Sequence, residues 1–196
     1  MLYRLRDIIL AATLLLLLLP LMIGIALILW MTQRQVFFCQ VRPGWHERPF
    51  TLIKFSTLYP AADPANESKD QQQRLTPAGR WLRQYSLDEL PQLLNVLRGD
   101  MSLVGPRPLL MQYLPRYTPE ERRRHDVRPG ITGWAQVHGR NTLPFKVRFT
   151  YDLWYVDHRS WWLDIKILWM TLRKVWRREG VYADHLTTSP EFDGTN

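Results

Sequence analysis

Residues 8 to 31 carry no charged side chain, and Leu14 to Leu19 is an unbroken leucine run. At 1.5 Å per residue the stretch reaches about 36 Å as a helix, enough to cross a hydrocarbon core of about 30 Å. Pro20 sits near its middle with Gly24 one turn later. That pattern leaves two readings open: a kinked spanning helix, which membranes tolerate, or a helix that bends at Pro20 and returns to the face it entered. Arg4 and Arg6 precede the stretch, and Arg34, Arg42, Arg48 and Lys54 follow it. Basic residues at both ends favour keeping both ends on the cytosolic side.

Beyond this segment the period changes. Val36–Val41 and Phe50–Phe55 read as two short strands joined at Arg42-Pro43-Gly44, a turn signal. Residues Tyr59 to Gln73, rich in Pro, Asn, Ser and Gln, read as a mobile surface loop. Thr76-Pro77 has the N-cap and first-turn proline of a helix start. Thr118-Pro119-Glu120-Glu121 repeats it with a capping box, and the basic run Arg122-Arg123-Arg124-His125 behind it reads as a solvated or lipid-facing surface. Arg128 to Asn141 holds three glycines and a proline and reads as an ordered loop of the functional kind. Phe145 to His158 is expected to be helical. In Trp161 to Arg178, Ile165, Leu168, Trp169, Leu172 and Trp176 recur on one helical face, with Lys166, Arg173, Lys174, Arg177 and Arg178 elsewhere. That is a core helix with a basic back or a helix lying in a bilayer interface.

Charge narrows the partners. The 26 Lys+Arg against 18 Asp+Glu give a formal +8, which calls for an anionic partner: nucleic acid, anionic lipid or a phosphorylated small substrate. A nucleic-acid binder would show a recognisable motif with arginines interleaved for bases, and none is evident. The lone cysteine, Cys39, excludes an intrachain disulfide and reads as a small buried residue.

Against this basic background the run Ser86-Leu87-Asp88-Glu89-Leu90-Pro91-Gln92 stands out. Ser86 and Glu89 have capping-box spacing. Alternatively Asp88 is itself the N-cap, which puts Pro91 in the first turn where its missing donor costs little. Either register places both acids at a helix N-terminus, where donors and dipole favour the ionised carboxylate. The pair is therefore a cap, or an Asp kept available as nucleophile or metal ligand. Lys54, Arg83, Arg107 and Arg140 flank it, and arginine forks and lysine charges hold phosphates. Arg107 is stiffened by Pro106 and Pro108. Carboxylates beside phosphate-binding cations point to Mg²⁺ and phosphoryl transfer, without a P-loop or Gly-rich dinucleotide fingerprint.

Three ordered motifs together carry a resemblance. They are Ser86 to Gln92, then Gly99-Asp100-Met101-Ser102-Leu103-Val104-Gly105-Pro106-Arg107-Pro108, then Arg128-Pro129-Gly130-Ile131-Thr132-Gly133-Trp134-Ala135-Gln136-Val137 with Gly139-Arg140-Asn141. The chain resembles the small monotopic phosphoglycosyl transferases, the bacterial sugar transferase family, over nearly its whole length. The resemblance implies that a UDP-sugar donates sugar-1-phosphate to undecaprenyl phosphate, releasing UMP, in a ping-pong reaction that begins a lipid-linked glycan. It implies Asp88 as the nucleophile and Glu89 as its Mg²⁺ or acid–base partner. Arg107 and Pro106 would bind the nucleotide end, and Lys54, Arg83 and Arg140 the phosphates or acceptor. Three positions depart from the family pattern: Leu19 before Pro20, Ser56 after Lys54-Phe55, and His138.

The expected architecture is α/β-type and helix-rich, with a small β-hairpin. Residues 1–33 would be a re-entrant anchor broken at Pro20, 34–160 the catalytic domain, 161–178 the interfacial amphipathic helix and 179–196 a tail. The family implies the bacterial inner membrane with the catalytic domain on its cytosolic face, in contact with membrane lipids and no nucleic acid; a homo-oligomer is left open. Rival functions are a membrane-anchored hydrolase of nucleotide-sugars and a non-catalytic scaffold.

Overall fold

The computed structural model describes residues 2–59, 74–139, 143–177 and 192–194. It is helix-rich, as expected. The apolar stretch forms α1, Leu2–Gln33, and the helix continues through Pro20, where a break was expected. Proline removes one donor there, leaving the Leu16 carbonyl without its intrahelical partner. Asp7, Ala11, Met22, Ile25, Leu29 and Gln33 are buried, with Leu15 packed against the same core. These positions follow three- and four-residue steps and make one stripe against the rest of the protein. The opposite side, including Leu16, Leu17, Leu27, Ile28 and Met31, is exposed.

Both ends of α1 are fastened to the same body. Near its start, Ser102 Oγ donates to Asp7 Oδ2 at 2.6 Å, and Arg6 bridges Asp7 and Asp164 at 3.0 and 2.7 Å. Tyr155 adds a hydroxyl to Asp164 at 2.7 Å. At its end, Gln33 Nε2 donates to the Ser56 carbonyl at 2.8 Å.

Strands β1 (Phe37–Pro43) and β2 (Pro49–Phe55) form the expected antiparallel hairpin, Phe37 opposite Phe55 and Pro43 opposite Pro49. Its turn lies three residues later than expected, at Trp45–Glu47, with His46 and Glu47 in left-handed conformation. Cys39 is exposed, not buried, because two strands leave β1 with one face open. Helix α2 (Pro77–Gln84) starts at Thr76, whose Oγ1 accepts from the Gly79 N–H at 2.8 Å. Gly79 packs on the Thr57 backbone so closely that a Cβ would fall 2.0 Å from the Thr57 carbonyl oxygen.

Helix α3 (Gln92–Arg98) leads to β3 (Ser102–Val104). The short α4 (Pro119–Arg122) carries the predicted capping box. The 128–141 region is more regular than an ordered loop: β4 (Gly130–Thr132) pairs in parallel with β3, and α5 (Trp134–His138) follows directly. Parallel pairing here needs glycine, since a Cβ on Gly105, Gly130 or Gly133 would lie 2.1 to 2.3 Å from neighbouring backbone.

Helices α6 (Phe145–His158) and α7 (Trp161–Arg177) complete the fold at the expected bounds. Helix α7 packs through Leu163, Asp164 and Ile167, so Ile165, Trp169, Leu172 and Trp176 face outward, Trp176 at 88% exposure. The predicted apolar stripe is therefore turned largely outward, while Leu163 and Ile167 join the main core. The basic run behind α4 is a solvated surface only in its first half: Arg122 reaches Glu47 and Arg123 pairs with Asp157 at the exposed side, whereas Arg124 and His125 are buried. Phe192 in the tail is fully buried among Tyr113, Tyr117, Phe145 and Phe149. Residues 60–73, expected to be a surface loop, and most of the 179–196 tail lie outside the described residues.

Candidate active site

The acidic pair occupies a single 3-10 turn, Leu87–Glu89, between α2 and α3. Ser86 enters it with φ 55° and makes no side-chain cap, and α3 takes Pro91 as its N-cap. Neither predicted capping register forms. The tight turn closes through its own backbone, Glu89 N–H to the Ser86 carbonyl and Leu90 N–H to that of Leu87, so no side-chain cap is called for.

The two acids have separate fates. One oxygen of Glu89, Oε1, accepts from Lys54 Nζ at 2.8 Å and Arg107 at 2.9 Å. Although burial opposes ionisation, these two cations hold Glu89 far below the ordinary carboxylate range. Asp88 makes no hydrogen bond or ion pair among the described residues. Burial pushes its carboxyl up, with the Glu89 charge adding to the push and Lys54, Arg83 and Arg107 pulling against it. The predicted downward shift from a helix cap is therefore reversed.

Each cation is held by a different device. Lys54 sits on β2, and Asn95 of α3 docks on that strand like a further β residue. Its Oδ1 accepts from the Ile53 N–H at 3.1 Å and its Nδ2 donates to the Thr51 carbonyl at 2.7 Å. The helix after the acids and the strand bearing Lys54 are thus locked in register. Arg83 comes from α2 and donates Nε to Thr57 Oγ1 at 3.0 Å. Arg107 follows β3, where Gly105 N–H bonds the Thr132 carbonyl at 2.9 Å and Gly130 N–H bonds the Pro106 carbonyl at 3.0 Å.

Two further arginines belong to this picture. Arg124 donates to the Arg107 carbonyl at 2.9 Å while paired with Asp152 at 2.7 Å, both buried. Arg42, on β1, is pushed down to about 10 by burial and by the nearby Arg107 charge. Asp152 was detectable in principle as the polar member of the buried α6 stripe Phe145, Phe149, Asp152, Tyr155. Nothing in the sequence singles Arg124 or Arg42 out from other arginines.

The structure thus gathers Asp88, Glu89, Lys54, Arg83, Pro106 and Arg107 into one neighbourhood. Arg140 lies outside the described residues. Among the described residues no group of three His, Cys, Asp or Glu side chains is placed to hold a metal. Asp88 and Glu89 Oε2 are the carboxylate oxygens left uncommitted at the turn. Such a site, an uncommitted carboxylate ringed by cations, suits attack on a phosphorus whose anionic oxygens those cations hold.

Comparison with known proteins agrees. A family model described as bacterial sugar transferase matches residues 1–178. The chain is 49% identical over 160 residues to a sugar transferase of Bacillus subtilis, EpsL, covering 82% of this chain and 79% of that protein. It is 43% identical over 150 residues to the undecaprenyl-phosphate glucose phosphotransferase of Komagataeibacter xylinus, covering 69% and 27%. With the undecaprenyl-phosphate galactose phosphotransferase of Salmonella typhimurium it shares 38% over 158 residues, 72% and 33%. The chain therefore spans about a third or less of the length of these last two. By these matches the chain belongs to the bacterial sugar transferase family.

Proposed function

We propose that this protein transfers sugar-1-phosphate from a UDP-sugar to undecaprenyl phosphate at the cytosolic face of the bacterial inner membrane, starting a lipid-linked glycan. The observation that carries the reading is the division of labour at the turn, with Glu89 committed to Lys54 and Arg107 and Asp88 committed to nothing described. An Asp88 oxygen attacks the donor's β-phosphorus, the bond from that phosphorus to the bridging oxygen breaks, and UMP leaves. A lipid phosphate oxygen then attacks the same phosphorus and breaks its bond to Asp88, restoring the carboxylate. Lys54, Arg83 and Arg107 pull the Asp88 carboxyl back toward its ionised, nucleophilic form against its burial, and donor phosphates held by the same cations complete the charge balance. Arg42 joins them from β1.

Magnesium fits this donor set in one manner. The ion is commonly held by one or two carboxylates together with substrate phosphates, and Asp88 with Glu89 Oε2 would supply the protein share. Bound there, it would stabilise charge on the transferring phosphoryl group.

The membrane placement is supported by α1, whose two ends, at Asp7 and at Gln33, are both fastened to one body. We read α1 as re-entrant, with the exposed leucines and the outward Trp169, Leu172 and Trp176 of α7 in lipid.

The test is UMP release from a panel of UDP-sugars with Mg²⁺, with and without undecaprenyl phosphate. A burst of UMP equal to the enzyme present, becoming turnover only when the lipid is added, is the expected result. Sustained UMP release without lipid would make the protein a hydrolase, and silence with every donor would refute the reading.

A further inference from the structure

Where α1 enters its apolar run, cations collect that the transfer reaction does not use. Arg4 donates to the Val96 and Leu97 carbonyls at the end of α3, and Arg128 Nε donates to the Gly99 carbonyl at 2.9 Å. The Arg159 guanidinium lies 4.3 Å from the centre of the Tyr3 ring, and its Nε is buried without a hydrogen-bond partner. Arg6 is matched by Asp7 and Asp164. Among the described residues, none of Arg4, Arg128 and Arg159 forms an ion pair.

The bland role of these side chains is to close the C-terminus of α3, and it is too small. A helix terminus offers about half a negative charge, against three guanidinia. The excess acts on Arg128, which is pushed down by burial and by Arg4 and Arg159, with Asp7 opposing. The charges that act most on Asp88 and Glu89 are Lys54, Arg83 and Arg107, and none of this trio is among them.

Location names the anion. Arg4 precedes the first residue of the uncharged run, Ile8, by one helical turn, about 6 Å. Aromatic rings of the kind that gather at headgroup level surround the cluster. Arg128 lies 4.5 Å from the Trp45 ring centre, and Tyr3 meets Trp161 at 6.0 Å. Trp45 and Trp161 are exposed.

We propose that Arg4, Arg128 and Arg159 form a receptor for the phosphate of an anionic phospholipid headgroup, distinct from the acidic pair. The site pins the start of α1 at headgroup depth and fixes how the protein sits on the bilayer. The inference rests on the membrane placement of α1 and not on the chemistry at Asp88, so the two can fail separately.

The experiment is native mass spectrometry of the full chain in detergent, titrated with phosphatidylglycerol, phosphatidylcholine or inorganic phosphate. Each arginine facing an anionic surface is worth about fivefold in affinity, so Arg128→Gln/Arg159→Gln is expected to weaken phosphatidylglycerol binding about 25-fold. Phosphatidylcholine binding should not change. Arg173→Gln/Lys174→Gln, which removes two charges from α7, should stay within about twofold if generic attraction is not the cause. Arg159→Gln alone breaks no hydrogen bond of the described fold and should still cost about fivefold, which separates lost binding from lost folding. Parental binding by both arginine variants would overturn the site, as would an equal loss in the α7 variant. Inorganic phosphate binding as tightly as the lipid would overturn the lipid assignment. A fall in UMP release by the double variant in detergent would reassign these arginines to substrate and overturn their separateness.

Discussion

Two acid–arginine arrangements lie a short way apart and are built on opposite terms. Asp152 and Arg124 are buried, paired at 2.7 Å, and tied on to the Arg107 carbonyl and the Tyr117 hydroxyl. At the 86–92 turn the charges are part-exposed, Glu89 carries two cations on one oxygen, and Asp88 is left over. The first arrangement spends its charges on holding the polypeptide. The second holds one carboxylate with cations and keeps its neighbour unspent, which costs stability and suits a site that a bound anion completes.

The sharpest break between the two is Asp88→Asn. UMP release should fall at least about 10³-fold, while thermal stability holds or rises, since burial already works against that charge. Parental activity in this variant would end the assignment of Asp88 as nucleophile. Arg124→Ala should do the reverse, leaving Asp152 buried and unpaired at a cost of about 3–5 kcal/mol, visible as a lower unfolding temperature. Its activity per folded molecule should fall only as far as Arg107 moves.

Acid offers a second probe of the buried region. Burial and the Arg124 charge push the His125 ring down to about 3, so the fold favours the neutral ring. Stability from this source is intact above about pH 6.5 and is lost as pH falls toward the folded value, about 2 kcal/mol of it by pH 5. Denaturant midpoints at pH 7 and pH 5 should diverge less in His125→Gln than in the parent. Arg107→Lys keeps charge and loses the fork; it should cost about tenfold in kcat/KM for the donor with little change in unfolding temperature. Smallest of all, Arg123→Ala breaks an exposed pair with Asp157 and should shift stability by less than about 1 kcal/mol. A larger shift there would undo the rule that exposure separates the spent charges from the idle ones.

Much of the scaffold was legible along the chain. The helices Phe145–His158 and Trp161–Arg177, the antiparallel pairing of β1 with β2, and the caps at Thr76 and Thr118 formed where local signals put them. These are decided by neighbours within four residues, through capping oxygens, proline and period. The Ser86 cap failed because a 3-10 turn met the same backbone needs without side chains. Cys39 and the second half of the 122–125 run depart from expectation for a related reason. Whether a side chain is covered depends on what packs over it, and a two-stranded hairpin covers little, whereas Arg124 is held against Asp152 of α6 and His125 against Gly44 and Tyr117.

By itself, the amino-acid order determined that this chain has an apolar anchor, an acidic pair among cations, and an amphipathic final helix. Each is a matter of composition and period over a short window. Only the tertiary structure decided that both ends of the anchor meet one body, that the tryptophans of α7 face out, and that Glu89 rather than Asp88 takes the cations. Those outcomes depend on contacts between residues tens of positions apart, Lys54 with Glu89 and Asp7 with Ser102. Burial and the resulting local field, not residue type, then set which carboxylate is left uncommitted.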